Sequence, residues 1–376
     1  MEGSNLPLSP RTTALLSRSA LVHNVRWLRE RLPAGTKLMA VVKANAYGHG
    51  AALVAPELQA VGCDAFGVAT TAEAAELRAA GVTAPVYLLS PVLPEEVESI
   101  LESRVVCLVQ DVRFVQALSE QAVKRNLRVE VHLKVDTGMS RFGVHPRDAV
   151  ETAMAIQRVP GVHLTGIATH FPCADSDADL TRHQWQAFQQ TAESVVQQLG
   201  KPLVRHSAAS AGVLAVPEAS ADMVRCGLLV YGVAPSGYDP RSLGLRPVLS
   251  LHSRVVALRR IPAGTTVGYG ATFVAARETL VATIPVGYGD GYLRALGNRA
   301  QVLLRGRRVP VIGRVCMDQM MIDATDTGAE VGDVVTLIGG QGNEEVTVNE
   351  IACWLDTTPH EVVTLLSAQV QRFLVD

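Results

Sequence analysis

Little in this chain suits a secreted, disulfide-stapled, membrane-bound or nucleic-acid-binding protein. Its 376 residues hold only six cysteines: Cys63, Cys107, Cys173, Cys226, Cys316 and Cys353. None lies in a Cys-x-x-Cys pair and the spacings are irregular. That argues against a disulfide framework or a zinc knuckle, so no metal is expected. Scattered thiols suit a reducing compartment. No run approaches the roughly 20 apolar residues of a membrane span. The stretch Met1 to Arg11 is polar, carries Pro7 and Pro10, and has no apolar signal core. Net charge is only −2, with no large basic patch to meet a nucleic acid or an anionic membrane surface. The short cluster Arg305-Gly306-Arg307-Arg308 reads as a solvated turn. These absences predict a cytoplasmic protein with neither nucleic acid nor membrane as partner.

Hydrophobic residues make up 48% of the chain and charged residues 19%, enough to build a large core over two domains. Eight apolar runs fill the first two-thirds: Leu38–Lys43, Ala65–Thr70, Val86–Ser90, Val105–Gln110, Val129–Val135, Leu164–His170, Leu203–His206 and Met223–Cys226. Helical periodicity separates most of them, as in Thr71–Ala80, Val112–Lys124 and Leu180–Leu199. In the second of these helices Val112, Val115, Leu118 and Val123 are placed near one face. Eight such units predict an α/β fold, a (β/α)8 TIM-type barrel. An open doubly wound sheet is the competing architecture, and it usually needs fewer strands. Beyond Pro247 the pattern shifts to short strands: Val248–Val256, Leu280–Ile284, Gln301–Leu304, Val309–Ile312, Gln319–Ile322 and Val334–Ile338. One helix, Val348 to Leu366, follows an N-cap at Thr347. Residues 16–248 are read as the barrel; 1–15 and 249–376 are read as a C-terminal mostly-β domain with the N-terminal segment added.

Barrel enzymes carry their chemistry at the C-terminal ends of strands. There the sequence places Lys43, the segment Lys134 to Arg141, His170, His206 and Arg225. Taken singly, either histidine reads equally as a hydrogen-bonded structural residue, and Tyr47 as the cap of a glycine turn. Arg225 is different: it sits between apolar Met223-Val224 and Cys226-Gly227-Leu228, where an unpaired cation is costly. Lys43 opens the Gly-rich stretch Ala44 to Gly50, and an amine so placed suits a Schiff base. The loops after strands seven and eight, the common phosphate cradle of the fold, hold Ser207, Ser210 and Gly227. An imine-forming amine and a phosphate site on one face together suit pyridoxal 5'-phosphate.

The motifs Ala40-Val41-Val42-Lys43-Ala44-Asn45-Ala46-Tyr47-Gly48-His49-Gly50, Asp136-Thr137-Gly138-Met139-Ser140-Arg141-Phe142-Gly143 and Gly313-Arg314-Val315-Cys316-Met317-Asp318 are specific ones. With Val267-Gly268-Tyr269-Gly270-Ala271 and Val286-Gly287-Tyr288-Gly289-Asp290-Gly291, the chain resembles the bacterial alanine racemases over nearly its whole length. The resemblance implies that Lys43 carries the cofactor and acts as one base. It implies that Tyr269 is the opposing base, supplied across a homodimer with shared active sites. Arg225 would face the pyridine nitrogen, with His170 and His206 supporting Tyr269 and Arg225. Tyr47, Ser210 and the backbone of Gly227 and Leu228 would hold the phosphate. Arg141 would lie near the cofactor oxygen and the substrate carboxylate, with Met317 from the partner chain also near the carboxylate. Lys134 matches a lysine carbamylated in some members, where it orients the arginine matching Arg141. Tyr288, Asp290 and Arg294 match the entrance, with Asp318 beside Met317. The implied activity is interconversion of L- and D-alanine, supplying D-alanine for peptidoglycan.

Departures from that family's pattern are His360, where a tyrosine is usual, and Ala209, where asparagine is usual. The segment Gln369-Val370-Gln371-Arg372 has drifted as well. His360 leaves open a serine or broader-specificity amino-acid racemase. Two further rivals are a regulatory protein of the same barrel and a decarboxylase of the related barrel-plus-β architecture. Tyr269 and its β domain oppose the first; no matching glycines or catalytic cysteine favour the second.

Overall fold

Eight parallel strands close into a barrel in the computed structural model, which describes residues 11–376. Residues 1–10 of the segment assigned to the mostly-β domain therefore lie outside the described residues. The chain divides into two compact units. One is Val22–Val230 with Pro235–Tyr238; the other takes the chain through Leu21, Tyr231–Ala234 and Asp239–Asp376.

After β1 (Thr13–Ser17), the barrel strands are β2 (Lys37–Val41), β3 (Ala65–Val68), β4 (Val86–Leu88), β5 (Val105–Val109), β6 (Val129–Lys134), β7 (Val162–Ala168), β8 (Val204–Ala209) and β9 (Met223–Cys226). Each falls on one of the eight expected runs. β9 pairs with β2, Lys37 opposite Met223 and Ala40 opposite Cys226, and this closes the ring. Parallel strands flanked by helices are buried on both faces, so they read as unbroken apolar runs. All five residues of β5, Val-Val-Cys-Leu-Val, are buried. Met39, Ala65, Tyr87, Val106 and Met223 form one core cluster drawn from five of these strands.

The helix Val112–Lys124 starts on Asp111, whose carboxylate accepts the Phe114 N–H at 3.0 Å. Its buried stripe is Val115, Leu118, Ser119 and Ala122. Val123, expected on that face, is 53% exposed. One residue past Ala122 turns a side chain by about 100°, off the stripe.

The second unit is built on a sheet in the order β11-β14-β17-β16-β15-β18-β10-β1-β20. Its strands are β10 (Leu249–Arg254), β11 (Ala257–Ile261), β14 (Thr279–Ile284), β15 (Gln301–Leu304), β16 (Arg307–Ile312), β17 (Met320–Asp323), β18 (Val334–Gln341) and β20 (Gln371–Val375). A two-stranded ribbon of β12 (Thr266–Val267) and β13 (Phe273–Val274) stands apart, and β19 (Glu344–Val346) pairs with β18. The N-terminal β1 runs antiparallel to β10 and parallel to β20. The expected helix Val348 to Leu366 is two helices, Val348–Leu355 and Pro359–Thr364. Asp356 takes a left-handed φ of 55° and Pro359 starts a new helix, so the first cannot run on. The Arg305–Arg308 turn joins β15 to β16, and acids neutralise it. Arg305 lies 2.7 Å from Asp333; Arg308 lies 2.8 Å from Glu344 and 2.7 Å from Glu350. No helix among the described residues is long and apolar enough to cross a membrane.

Gly166 on β7 stands opposite His132 on β6, where the register shifts. A Cβ on Gly166 would overlap the His132 ring, which is buried. Gly166→Ala is therefore expected to lower the unfolding free energy by about 1–3 kcal/mol, the usual cost of overpacking. Urea unfolding with an unchanged midpoint would contradict this packing.

Candidate active site

Lys43 does not end its strand, as the sequence suggested. β2 stops at Val41, and Lys43 opens a turn, Lys43–Tyr47. Within it Ala44, Asn45, Ala46 and Tyr47 have φ of 51°, 53°, 55° and 51°. A left-handed conformation costs a non-glycine residue about 1–2 kcal/mol, so four in succession need external support. Asn45 Oδ1 accepts the Ala51 N–H at 2.7 Å, and Glu73 Oε1 accepts the Ala44 N–H at 2.7 Å. The Gly48 N–H closes on Ala44 O at 3.0 Å. Lys43 is half-buried. Burial lowers its pKa first; Arg141 and Arg225 push the same way, while Glu73 opposes. The amine is thereby brought toward its neutral, basic form. Tyr47 is buried and its phenol is pushed up to about 12, so it remains a hydrogen-bond donor.

Arg225 is buried in β9, and no acidic side chain pairs with it among the described residues. Its Nη2 donates to Thr169 O at 2.8 Å and Ser207 O at 2.7 Å, and lies 3.0 Å from His170 Nδ1. Its Nη1 lies 2.9 Å from His206 Nδ1. Burial lowers its pKa to about 10, so the guanidinium keeps its charge at neutral pH. Arginine only donates. His206 must therefore accept at Nδ1 and carry its proton on Nε2, while His170 Nδ1 competes with two carbonyls for the two hydrogens of Nη2. The His206 Nε2–H then donates to His132 Nδ1 at 2.8 Å, which fixes His132 as well. These bonds use both terminal nitrogens of Arg225 and leave its Nε–H uncommitted among the described residues. His206 was expected at the end of its strand, yet β8 runs on to Ala209. From mid-strand its ring can meet His132 two strands away.

Ser210 opens the helix Ser210–Ala215, and Ala209 before it offers no side-chain cap. Ser210 Oγ accepts the Gly227 N–H at 3.2 Å and the Leu229 N–H at 3.4 Å. Leu228 lies between them in the chain and is buried. A Cβ on Gly227 would stand 2.8 Å from the Tyr47 hydroxyl, so only glycine leaves that phenol its place. Ser207, expected in this cradle, instead donates to Ala219 O at 2.5 Å. A serine hydroxyl, a phenol and the backbone amides that follow Cys226, gathered at one place, suit a phosphate dianion. The adjacent Lys43 amine and the free Arg225 donor suit an aldehyde and a pyridine nitrogen. The residues present thus fit pyridoxal phosphate.

Lys134 ends β6, buried, and donates to Val135 O at 2.7 Å. Burial, then Arg225, brings its pKa down to about 7. Its Nζ is 5.2 Å, and the Arg141 guanidinium 6.0 Å, from the Phe142 ring centroid. The loop that delivers Arg141 is organised by Asp136, whose Oδ1 accepts the N–H groups of Gly138, Met139 and Ser140 at 2.9, 2.8 and 3.1 Å.

The other candidates lie in the second unit. Tyr269 opens a short turn between Gly268 and Gly270, and a Cβ on Gly270 would stand 3.0 Å from Arg314 Nη1. The Tyr288 N–H donates to Cys316 O at 3.0 Å and the Gly289 N–H to Met317 O at 2.9 Å. Asp290 Oδ2 accepts the Gly287 N–H at 3.0 Å. Gln369 Nε2 donates to Asp290 Oδ1 and Gly289 O, both at 2.9 Å. Tyr288, Asp290 and Met317 are thus knitted together. Tyr269, Met317 and Tyr288 remain 72%, 55% and 40% exposed. Arg294, Asp318 and His360 are also exposed, with no hydrogen bond tying Arg294 or Asp318 to this cluster among the described residues. Sequence reasoning missed His132, Glu73, Arg314 and Gln369. A polar residue inside an apolar strand was the available signal for His132; Arg314 lay in a quoted motif and Gln369 in the drifted segment, each without an assigned role, and only a helix-capping pattern marked Glu73.

Residues 16–235 match the family model of the alanine racemase N-terminal domain, and residues 248–374 that of the alanine racemase C-terminal domain. The chain is 40% identical over 356 residues to alanine racemase 1 of Caldanaerobacter subterraneus subsp. tengcongensis, an alignment covering 94% of this chain and 92% of that one. Among solved structures it is similar to the alanine racemase of D-cycloserine-producing Streptomyces lavendulae, with a TM-score of 0.92, 35% identity, and coverage of 99% and 98%. It is also similar to the alanine racemase of Bartonella henselae with covalently bound pyridoxal phosphate, with a TM-score of 0.86, 29% identity, and coverage of 97% and 100%.

Burial lowers the pKa of His132 to about 3, and that of His206 well below its ordinary value. The unfolded chain therefore binds protons that the folded one refuses below about pH 6.5. Stability is complete above that pH and falls as pH drops toward the folded values. Each histidine is expected to contribute a slope of about 1.4 kcal/mol per pH unit. Denaturant unfolding at pH 7, 6 and 5 measures it; a flat profile would mean that these rings are charged in the fold.

Proposed function

The chain belongs to the alanine racemase family, and from that membership we propose that it interconverts L- and D-alanine with two opposed bases. Lys43 is one base, and Tyr269 of the partner subunit is the other. The observation that carries this reading is the group of Lys43, Arg225, Tyr47, Ser210 and Gly227 at one end of the barrel. When bound, pyridoxal phosphate supplies an electron-withdrawing ring that acidifies the α-proton of the amino acid.

The chain's own residues then divide the work. Lys43 Nζ removes or returns the proton on one face of Cα, helped by the burial and the neighbouring cations that lower its pKa. The phenol of Tyr269 of the partner subunit serves the opposite face. Two bases remove the need for the substrate to turn over between the two transfers. The high exposure of Tyr269, Met317 and Tyr288 supports a homodimer in which this surface completes the partner's site. Arg141 and Met317 of the partner subunit hold the substrate carboxylate. Tyr288, Asp290 and Arg294, with Asp318 and His360 nearby in that unit, shape the entrance. Lys134, its amine close to neutral at working pH, is open to carbamylation beside Arg141. The product fits a role in supplying D-alanine for peptidoglycan.

Arg225 keeps its proton, and its Nε–H would meet the ring nitrogen of the cofactor as a donor only, a partner that would not protonate that nitrogen. A ring so held would withdraw electrons less strongly, which would favour return of the proton to Cα. Arg225→Glu is expected to raise pyruvate formation from alanine, read by a lactate dehydrogenase assay; an unchanged rate would remove this role.

Incubating the purified protein with L-alanine in deuterated water is expected to yield D-alanine labelled at Cα, seen by chiral chromatography and mass spectrometry. Tyr269→Phe should lower turnover by about 10²–10⁴-fold, the usual contribution of a general base. No label at Cα, or full turnover without the phenol, would overturn the two-base reading. Running L-serine beside L-alanine decides between alanine and broader specificity, which His360 leaves open.

A further inference from the structure

We propose that Glu73 is a positioning residue of the site, tying the turn that carries Lys43 and Tyr47 to the start of the neighbouring helix. This deepens the proposed function and rests on Lys43 being the cofactor lysine. Glu73 lies in the first turn of the helix Thr71–Ala79, whose N-cap is Thr70. Its Oε2 accepts the Ala69 N–H at 2.7 Å and the Thr70 N–H at 3.3 Å; Thr70 Oγ1 in return accepts the Glu73 N–H at 3.2 Å. That reciprocal pair is a capping box and needs only one carboxylate oxygen.

The other oxygen does something a cap does not require. Oε1 reaches 29 residues back along the chain to the Ala44 N–H, at 2.7 Å. Ala44 follows Lys43 directly and is the first of the four left-handed residues. A carboxylate can take all three N–H groups because both of its oxygens accept. A glutamine has a single accepting oxygen and must give up one side of the bridge. A charge-assisted bond at the first strained residue is what such a turn needs to persist.

The same carboxylate is the anion beside the lysine. Burial, Arg141 and Arg225 all favour the neutral amine, and Glu73 alone among the groups acting on Lys43 opposes them. His170, which also senses Lys43, is held neutral by burial and by Arg225. Glu73 therefore moderates the charge of the amine as well as fixing its backbone.

The test uses wild type, Glu73→Gln, Glu73→Ala, Thr70→Ala and Glu76→Gln. Thr70→Ala breaks the capping box and leaves the Ala44 bond. Glu76→Gln removes a charge from an exposed position on the same helix. Two quantities are read: the pH midpoint for reductive methylation of Lys43 by formaldehyde in the cofactor-free protein, and the rate of pyridoxal phosphate loss from the holoenzyme by absorbance. Both Glu73 variants are expected to move the midpoint to lower pH. They are expected to speed cofactor loss by about tenfold or more, as losing a charge-assisted hydrogen bond implies. Thr70→Ala should lower the thermal midpoint and change neither quantity; Glu76→Gln should match wild type. Where Glu73→Ala is too unstable to purify, Glu73→Gln carries the test. Midpoints and loss rates within twofold of Thr70→Ala would reduce Glu73 to a helix cap and overturn this proposal alone. A wild-type holoenzyme that traps no cofactor on Lys43 with borohydride would overturn the cofactor reading and this proposal together.

Discussion

A guanidinium buried without an acid beside it sets the terms for the barrel's site. Arg225 has no carboxylate partner among the described residues, so carbonyls and imidazoles meet its charge. That arrangement works only if the imidazoles accept. The protons of His206 and His132 are fixed as a consequence, and neither these rings nor His170 can take a second proton cheaply, since burial lowers the pKa of all three. Burial is the first cause of the shifts around it and the cation adds to burial, lowering the pKa of Lys43 and Lys134 and favouring the neutral forms of His170 and His206. Together they leave a lysine able to accept a proton, and no bond among the described residues takes the Arg225 Nε–H.

The barrel makes such a group tolerable. Its strands are short and apolar, and most site residues occupy their C-terminal ends or the turns just beyond, with His132 and His206 inside β6 and β8. Two local liabilities, the buried cation and the left-handed turn after Lys43, sit on a scaffold whose strands are mostly buried. The strain is concentrated where side chains must be aimed. Neighbouring elements hold it in place: Glu73 and Asn45 at the turn, and Asp136 at the loop before Arg141.

The eight barrel strands were legible because parallel strands covered on both faces read as plain apolar runs. Lys43 and Arg225 were legible for the opposite reason: a charge at the end of such a run demands an explanation. The details that failed share one cause. Whether a residue ends a strand or lies inside it depends on hydrogen bonding to neighbours distant in sequence. His206 therefore looked terminal while lying within β8, and Lys43 looked like part of its strand. In the second unit six strands were found. β11, with its exposed Arg259 and Arg260, lies at the sheet edge and shows no clean alternation. β12 and β13 are two residues each, too short to carry a pattern. β1 and β20 gain their status by pairing across the ends of the chain.

Glu73 shows why local reading stops where it does. A threonine followed three residues later by glutamate, before an apolar stripe, is fully explained as a capping box. Nothing in that pattern indicates that one oxygen is spare, since the cap uses one and the sequence is silent about the other. The second partner, the Ala44 N–H, is 29 residues away and becomes a neighbour only when β2 and β3 pair. A backbone donor has no residue-specific signature, so a side chain that binds one leaves no trace in composition or spacing. Residues that act by holding a strained backbone are for this reason systematically less visible than those that act by their own charge. In this chain Lys43 and Arg225 declare themselves, and the group that steadies the lysine does not.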